Sequence, residues 1–124
     1  MPWQVRLDSE REIVETVYAG ALPAPELKAA VRETLRVAKA HSAWRVFNDC
    51  TALAGGCSAV DLFEAVGEVE RAVGRQPMRE AMLVASVAAP GKDVLFWQAA
   101  CENRGIQVRL FDDRERALAW LARA

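Results

Sequence analysis

The chain has 124 residues, 52% of them hydrophobic and 27% charged, with a formal net charge of −1. That length suits one domain, residues 1–124, able to bury its own core. The near-neutral balance, with no run of Lys or Arg, excludes a protein that grips a nucleic-acid backbone through a basic face.

No apolar run reaches the ~20 residues of a membrane span. The start, Met1-Pro2-Trp3-Gln4-Val5-Arg6, has neither the apolar segment nor the cleavage site of a signal peptide. Cys50, Cys57 and Cys101 form an odd, irregularly spaced set. They read as small interior residues of a reduced, cytoplasmic protein rather than a disulfide framework. Cys50 and Cys57 flank one loop, which leaves a thiol pair there as the alternative.

In chain order, Trp3 to Asp8 alternates Trp3, Val5 and Leu7 with polar residues, the pattern of a half-buried strand. Ser9-Glu10-Arg11-Glu12 turns, and Ile13 to Ala19 is a second strand, paired with the first as a hairpin. Pro23 and Pro25 suit the first turn of a helix carrying Leu27, Ala30, Val31, Leu35 and Ala38 inward and ending at His41 and Ser42. Trp44 to Asn48 is a third strand. Ser58 to Gly74 is a second helix with the inward stripe Leu62, Phe63, Val66, Val69 and Val73, stopped by Gly74.

Met78 to Ala88 contains Ala81-Met82-Leu83-Val84-Ala85, a run expected of a central strand covered on both faces. Pro90-Gly91-Lys92-Asp93 leads into a helix with Val94, Phe96, Trp97, Ala100 and Cys101, closed by Asn103-Arg104-Gly105. Ile106 to Phe111 is the last strand, and Asp112 or Asp113 caps a final helix with Ala117, Leu118, Trp120 and Leu121 inward. The order ββαβαβαβα predicts an α/β domain with a five-stranded, mostly parallel sheet and four helices.

The richest stretch runs from Val46 to Ser58: an apolar strand, the polar pair Asn48-Asp49, a small-residue loop and a helix start. Parallel α/β domains place sites there, where helix N–H groups face a strand end. Ser58 reads first as an N-cap, with Asp61 three residues on completing a capping box. Asp49 reads as an acceptor for the loop behind it, with Thr51 turning that loop. Gly55-Gly56 allows close chain approach but is no P-loop, since no Lys-Ser/Thr follows.

Lys92 lies on the loop after the next parallel strand and therefore at the same sheet edge. It reads as solvated, with anion contact as the sharper alternative. Phe96 and Trp97 are adjacent and cannot both face inward, so one of them marks a pocket wall or an interface. His41, at a helix end on the opposite edge, reads as structural, and no acid–base pair or metal-ligand spacing is visible.

The strand–helix order, the hairpin, and the ending Asn103-Arg104-Gly105-Ile106-Gln107-Val108-Arg109-Leu110-Phe111-Asp112-Asp113 through Ala117-Leu118-Ala119-Trp120-Leu121 resemble the SpoIIAA-like (STAS/SEC14-type) small bacterial domains, over nearly the whole chain. The STAS members that are anti-sigma-factor antagonists carry an aspartate ending the third strand. About nine residues later an Asp-Ser pair opens the helix, and that serine is phosphorylated.

Asp49 matches the first aspartate and Ser58 the serine, while Cys57 stands where the second aspartate would be, preceded by Gly55-Gly56. The resemblance implies a cytoplasmic, non-enzymatic regulatory module without cofactor. It would bind a protein partner or a second copy through Asp49, Thr51, Gly55, Gly56, Cys57, Ser58, Lys92 and Trp97, with Ser58 as the candidate switch. The SEC14 side implies the alternative of an apolar ligand or lipid pocket between helices and sheet.

Overall fold

A computed structural model describes residues 2–123. Its elements are β1 (Trp3–Asp8), β2 (Ile13–Gly20), α1 (Ala24–His41), β3 (Arg45–Leu53), α2 (Ala59–Val73), β4 (Arg79–Leu83), α3 (Lys92–Glu102), β5 (Gln107–Phe111) and α4 (Arg114–Leu121). The five strands lie in sequence order across one sheet. β1 and β2 pair antiparallel, Trp3 opposite Tyr18 and Asp8 opposite Ile13; every later pair is parallel. The fold class and element order expected from the sequence are those observed.

That strand order dictates where the helices go. Each crossover steps one strand in the same direction, and right-handed crossovers then place α1, α2 and α3 on one face. The opposite face would be bare but for α4, which returns after β5 and packs on β3, β4 and β5. Two cores result. One holds Val14, Val31, Val46, Val66 and Val108 under the three helices; the other holds Ile13, Phe47, Ala81, Leu83, Ala117 and Leu121 under α4. Successive residues of β3 and β4 alternate between them, as pleating requires.

Where that second face runs past α4, charge closes it. The buried Glu15 carboxylate accepts from Arg6 and Arg114, both at 3.0 Å, and the Arg114 guanidinium sits 4.8 Å over the Phe47 ring. Asp113 caps α4 by accepting from the Arg116 N–H at 3.1 Å.

Three expectations need correction. β3 continues to Leu53 rather than ending at Asn48, because β2 pairs with it as far as Gly20 opposite Leu53, across an irregularity after Val17. β4 stops at Leu83, although the apolar run continues; β5 has ended at Phe111, whose carbonyl takes the last N–H, from Val84, at 2.8 Å. Phe63 is not in the inward stripe of α2. Leu62, Ala65, Val66, Val69 and Val73 fill that stripe, and Phe63, one step round the helix from Leu62, faces outward.

Candidate functional site

The loops at the carboxyl edge of the sheet are tied together by backbone. Ala54 N–H donates to Gly20 O at 2.9 Å, Leu22 N–H to Gly55 O at 2.7 Å, and the Cys57 thiol to Leu22 O at 2.7 Å. Gly56 has φ +112°, and a Cβ there would stand 2.6 Å from Leu22 N. The two glycines thus serve close approach of one chain segment to another. Burial and the nearby Asp61 and Asp93 carboxylates push the Cys57 thiol up, away from a reactive thiolate. Cys50, buried beyond it, is pushed up chiefly by desolvation, and both thiols are free.

Ser58 is exposed and caps α2. Its Oγ accepts from Asp61 N–H at 3.1 Å, and the Asp61 carboxylate accepts from Ser58 N–H at 2.9 Å. That backbone bond, the Ser58 hydroxyl and, more weakly, Lys28 hold the Asp61 carboxyl below the usual range. The capping box thus engages two of the amides at this helix start, those of Ser58 and Asp61. What the first turns do present is apolar: Val60 is 65% exposed and Phe63 54%. The Arg104 guanidinium lies 4.7 Å over the Phe63 ring, and Leu95 on the neighbouring α3 is 48% exposed.

Of the other residues singled out in the sequence, Asp49, Thr51 and Trp97 lie away from this helix start, whereas Lys92 shares a hollow with Gly55. Cys50 belongs to the core under α1–α3, so Asp49, one residue earlier, points to the opposite face of the sheet. Its carboxylate accepts from Thr51 N–H at 3.1 Å and from the Thr51 hydroxyl at 2.7 Å, a local bond within β3 at the irregularity in its pairing with β2. Asp49 and Ser58 therefore lie on different sides of the sheet. Lys92 is exposed at the start of α3, beside a hollow of about 140 Å³ that it shares with Cys50, Leu53, Gly55 and Asp93. Trp97 is not on the surface: it is 8% exposed, and the half-buried member of the aromatic pair is Phe96.

Trp97 instead belongs to a polar cluster that sequence reasoning missed. Glu80, the second residue of β4 and 1% exposed, accepts at Oε1 from Trp97 Nε1–H at 2.8 Å and from Asn48 Nδ2–H at 2.5 Å. Desolvation raises its carboxyl to about 7, against the opposing pull of these two hydrogen bonds. Asn48 is 6% exposed, and its Oδ1 has no hydrogen-bond partner. Asn48, Tyr18 and Trp97 wall two small cavities of about 50 and 20 Å³ between sheet and helices. The available signal was an acidic residue, Glu80, directly ahead of the apolar run Ala81-Met82-Leu83-Val84-Ala85.

A cleft of about 540 Å³ lies at the opposite, amino edge and contains Arg11, Arg45, Arg79 and Arg104. The carboxyl ends of α1, α2 and α3 also meet there, at Ser42, Gly74 and Gly105, bringing negative partial charge. Arg104 donates to Ala100 O, Arg79 to Trp120 O and Arg123 O, and Arg11 pairs with Asp8. Much of this positive charge answers helix ends and a local carboxylate. His41 is exposed at the end of α1, on this edge, away from the Asp49 loop. Among the described residues no group of three His, Cys, Asp or Glu could hold a metal ion, and no helix is long and apolar enough to cross a membrane.

No family model matches this chain, and no curated protein matches it. Among solved structures it is similar to an uncharacterised protein of the DUF3478 family with a SpoIIAA-like fold from Shewanella loihica PV-4. The TM-score is 0.64 and the identity 15%, over 96% of this chain and 93% of that one. The chain has a SpoIIAA-like fold.

Proposed function

We propose that this SpoIIAA-like module works by binding a protein, through the shoulder formed by the start of α2 and the adjoining face of α3. The observation carrying the reading is the exposure of Val60 and Phe63, 65% and 54%, on the helix that Ser58 caps. Large side chains left in water on a domain that already has two filled cores are the usual anchors of an interface. A second copy of the chain is the first partner to test. The reading is non-catalytic, since it uses no acid–base pair or nucleophile.

Ser58 is the switch in this reading. A phosphate there would gain from the positive helix end and lose by repulsion from Asp61, whose carboxylate now receives the Ser58 N–H. The charge would enter next to Val60, in the interface itself. The test places a photo-crosslinking residue at position 63 and asks which proteins in the native host it captures. Adducts of defined mass that vanish with Ser58→Glu support the reading. Adducts unchanged in Ser58→Glu and in Val60→Ser overturn it.

The alternative of a lipid-sized apolar ligand has less support. The cavity between sheet and helices is about 50 Å³, whereas ligand pockets usually measure roughly 300–1,000 Å³.

A further inference from the structure

The interface reading leaves the cleft at the amino edge unused. Phe47 and Ala81 lie under α4, so strand alternation puts Arg45 and Arg79, two residues earlier, on that same side of the sheet. The two arginines are directly opposite each other in the β3–β4 register. Like charges so placed destabilise a sheet. Both line the 540 Å³ cleft, together with Arg11, Arg104 and one carboxylate, Glu12. Arg11 is answered by Asp8, and Arg104 by Ala100 O and, at 3.5 Å, by Glu70. Arg79 donates to the carbonyls of Trp120 and Arg123. Arg45 is half-buried and has no hydrogen-bond or ion-pair partner among the described residues.

We propose that this cleft binds a small molecule carrying a carboxylate or phosphate head on an apolar body. The head bridges the Arg45 and Arg79 guanidiniums, whose planar forks match the paired oxygens of such groups. The body crosses the strand starts toward Trp44 and Met78, which belong to the core on the other side. The volume selects a molecule over a bare ion, since it falls within the roughly 300–1,000 Å³ of ligand pockets. The carboxyl ends of α1, α2 and α3 disfavour a second negative charge on their side of the cleft, so the ligand has one anionic end. The site uses neither Val60 nor Phe63, so either reading can fail alone.

The test titrates the full chain at low salt with phenyl phosphate, with benzoate and, as a neutral analogue, with benzyl alcohol, each followed by residue-resolved amide NMR. The site predicts saturable shifts centred on Trp44, Arg45 and Arg79 for at least one anion, and benzyl alcohol binding at least about tenfold weaker. The tighter anion identifies the head. Arg45→Gln gives up no hydrogen bond or ion pair with a described residue and should weaken that anion at least about tenfold. Arg45→Lys keeps the charge without the fork and should fall between. Arg36→Gln, on the exposed side of α1, should leave the affinity unchanged. Equal affinity for the alcohol, an affinity that survives Arg45→Gln, an equal loss in Arg36→Gln, or no saturable shift at the cleft with either anion would overturn it.

Discussion

Glu80 makes stability depend on pH in a direction opposite to most carboxylates. Its carboxyl titrates near 7 when folded, against the ordinary 4.5, because burial disfavours the charged form. Below pH 4.5 the group is neutral in both states. Between 4.5 and 7 the unfolded chain releases its proton while the folded chain holds on, so stability falls as pH rises, and above 7 the loss is complete. At 1.36 kcal/mol for each pH unit separating the two values, the loss is about 3 kcal/mol, a sizeable part of a small domain's stability.

Glu80→Gln keeps an oxygen for Trp97 and Asn48 but cannot ionise. Urea unfolding, followed by tryptophan fluorescence from pH 4.5 to 8, should show a variant indifferent to this titration. At pH 4.5 it should be no more stable than the parent, since its amide adds donors to a buried site. Its advantage should grow by about 3 kcal/mol by pH 8. A difference between the two proteins that stays constant with pH would refute the argument that Glu80 is buried with neutral partners alone.

Other substitutions test other parts of the construction. Gly56→Ala should cost roughly 1–3 kcal/mol for its φ alone and more for the encounter with the Leu22 backbone. Gly20→Ala, also at positive φ but with open space around it, should lower the melting temperature less. Ser58→Ala should lose about 1 kcal/mol by thermal unfolding, while Ser58→Asp, also a good cap, keeps most of it. Leu121→Ala should cost about 2–5 kcal/mol by chemical denaturation, since Leu121 is wholly buried and is one of two core anchors of the eight-residue α4.

Most of the architecture was readable from local pattern. Alternation in Trp3–Asp8, the prolines at the start of α1, Ser58 with Asp61, and Asp113 each mark an element through chemistry acting within a few residues. The errors arose where distant partners decide. β3 runs on because β2 extends beside it, and β4 stops early because β5 does. Phe63 fits an apolar stripe one position wide of the true one, and only the neighbouring helix shows which edge is wet.

The candidate site was legible in its parts and not in their grouping. Asp49 and Ser58 are nine residues apart, but Asp49 lies within β3 and strand alternation sends it to the far face. Glu80 and Asn48 lie on different strands, so no spacing in the chain could announce their hydrogen bond.

The central claim is that the outward side chains of α2 near Ser58 meet another protein. Photo-crosslinking from position 63, compared with position 41 at the opposite sheet edge, tests it most directly. The account predicts a discrete adduct from 63 that is absent from 41 and lost in Val60→Ser. Identical adducts from both positions, or none from 63 at native abundance, would contradict it.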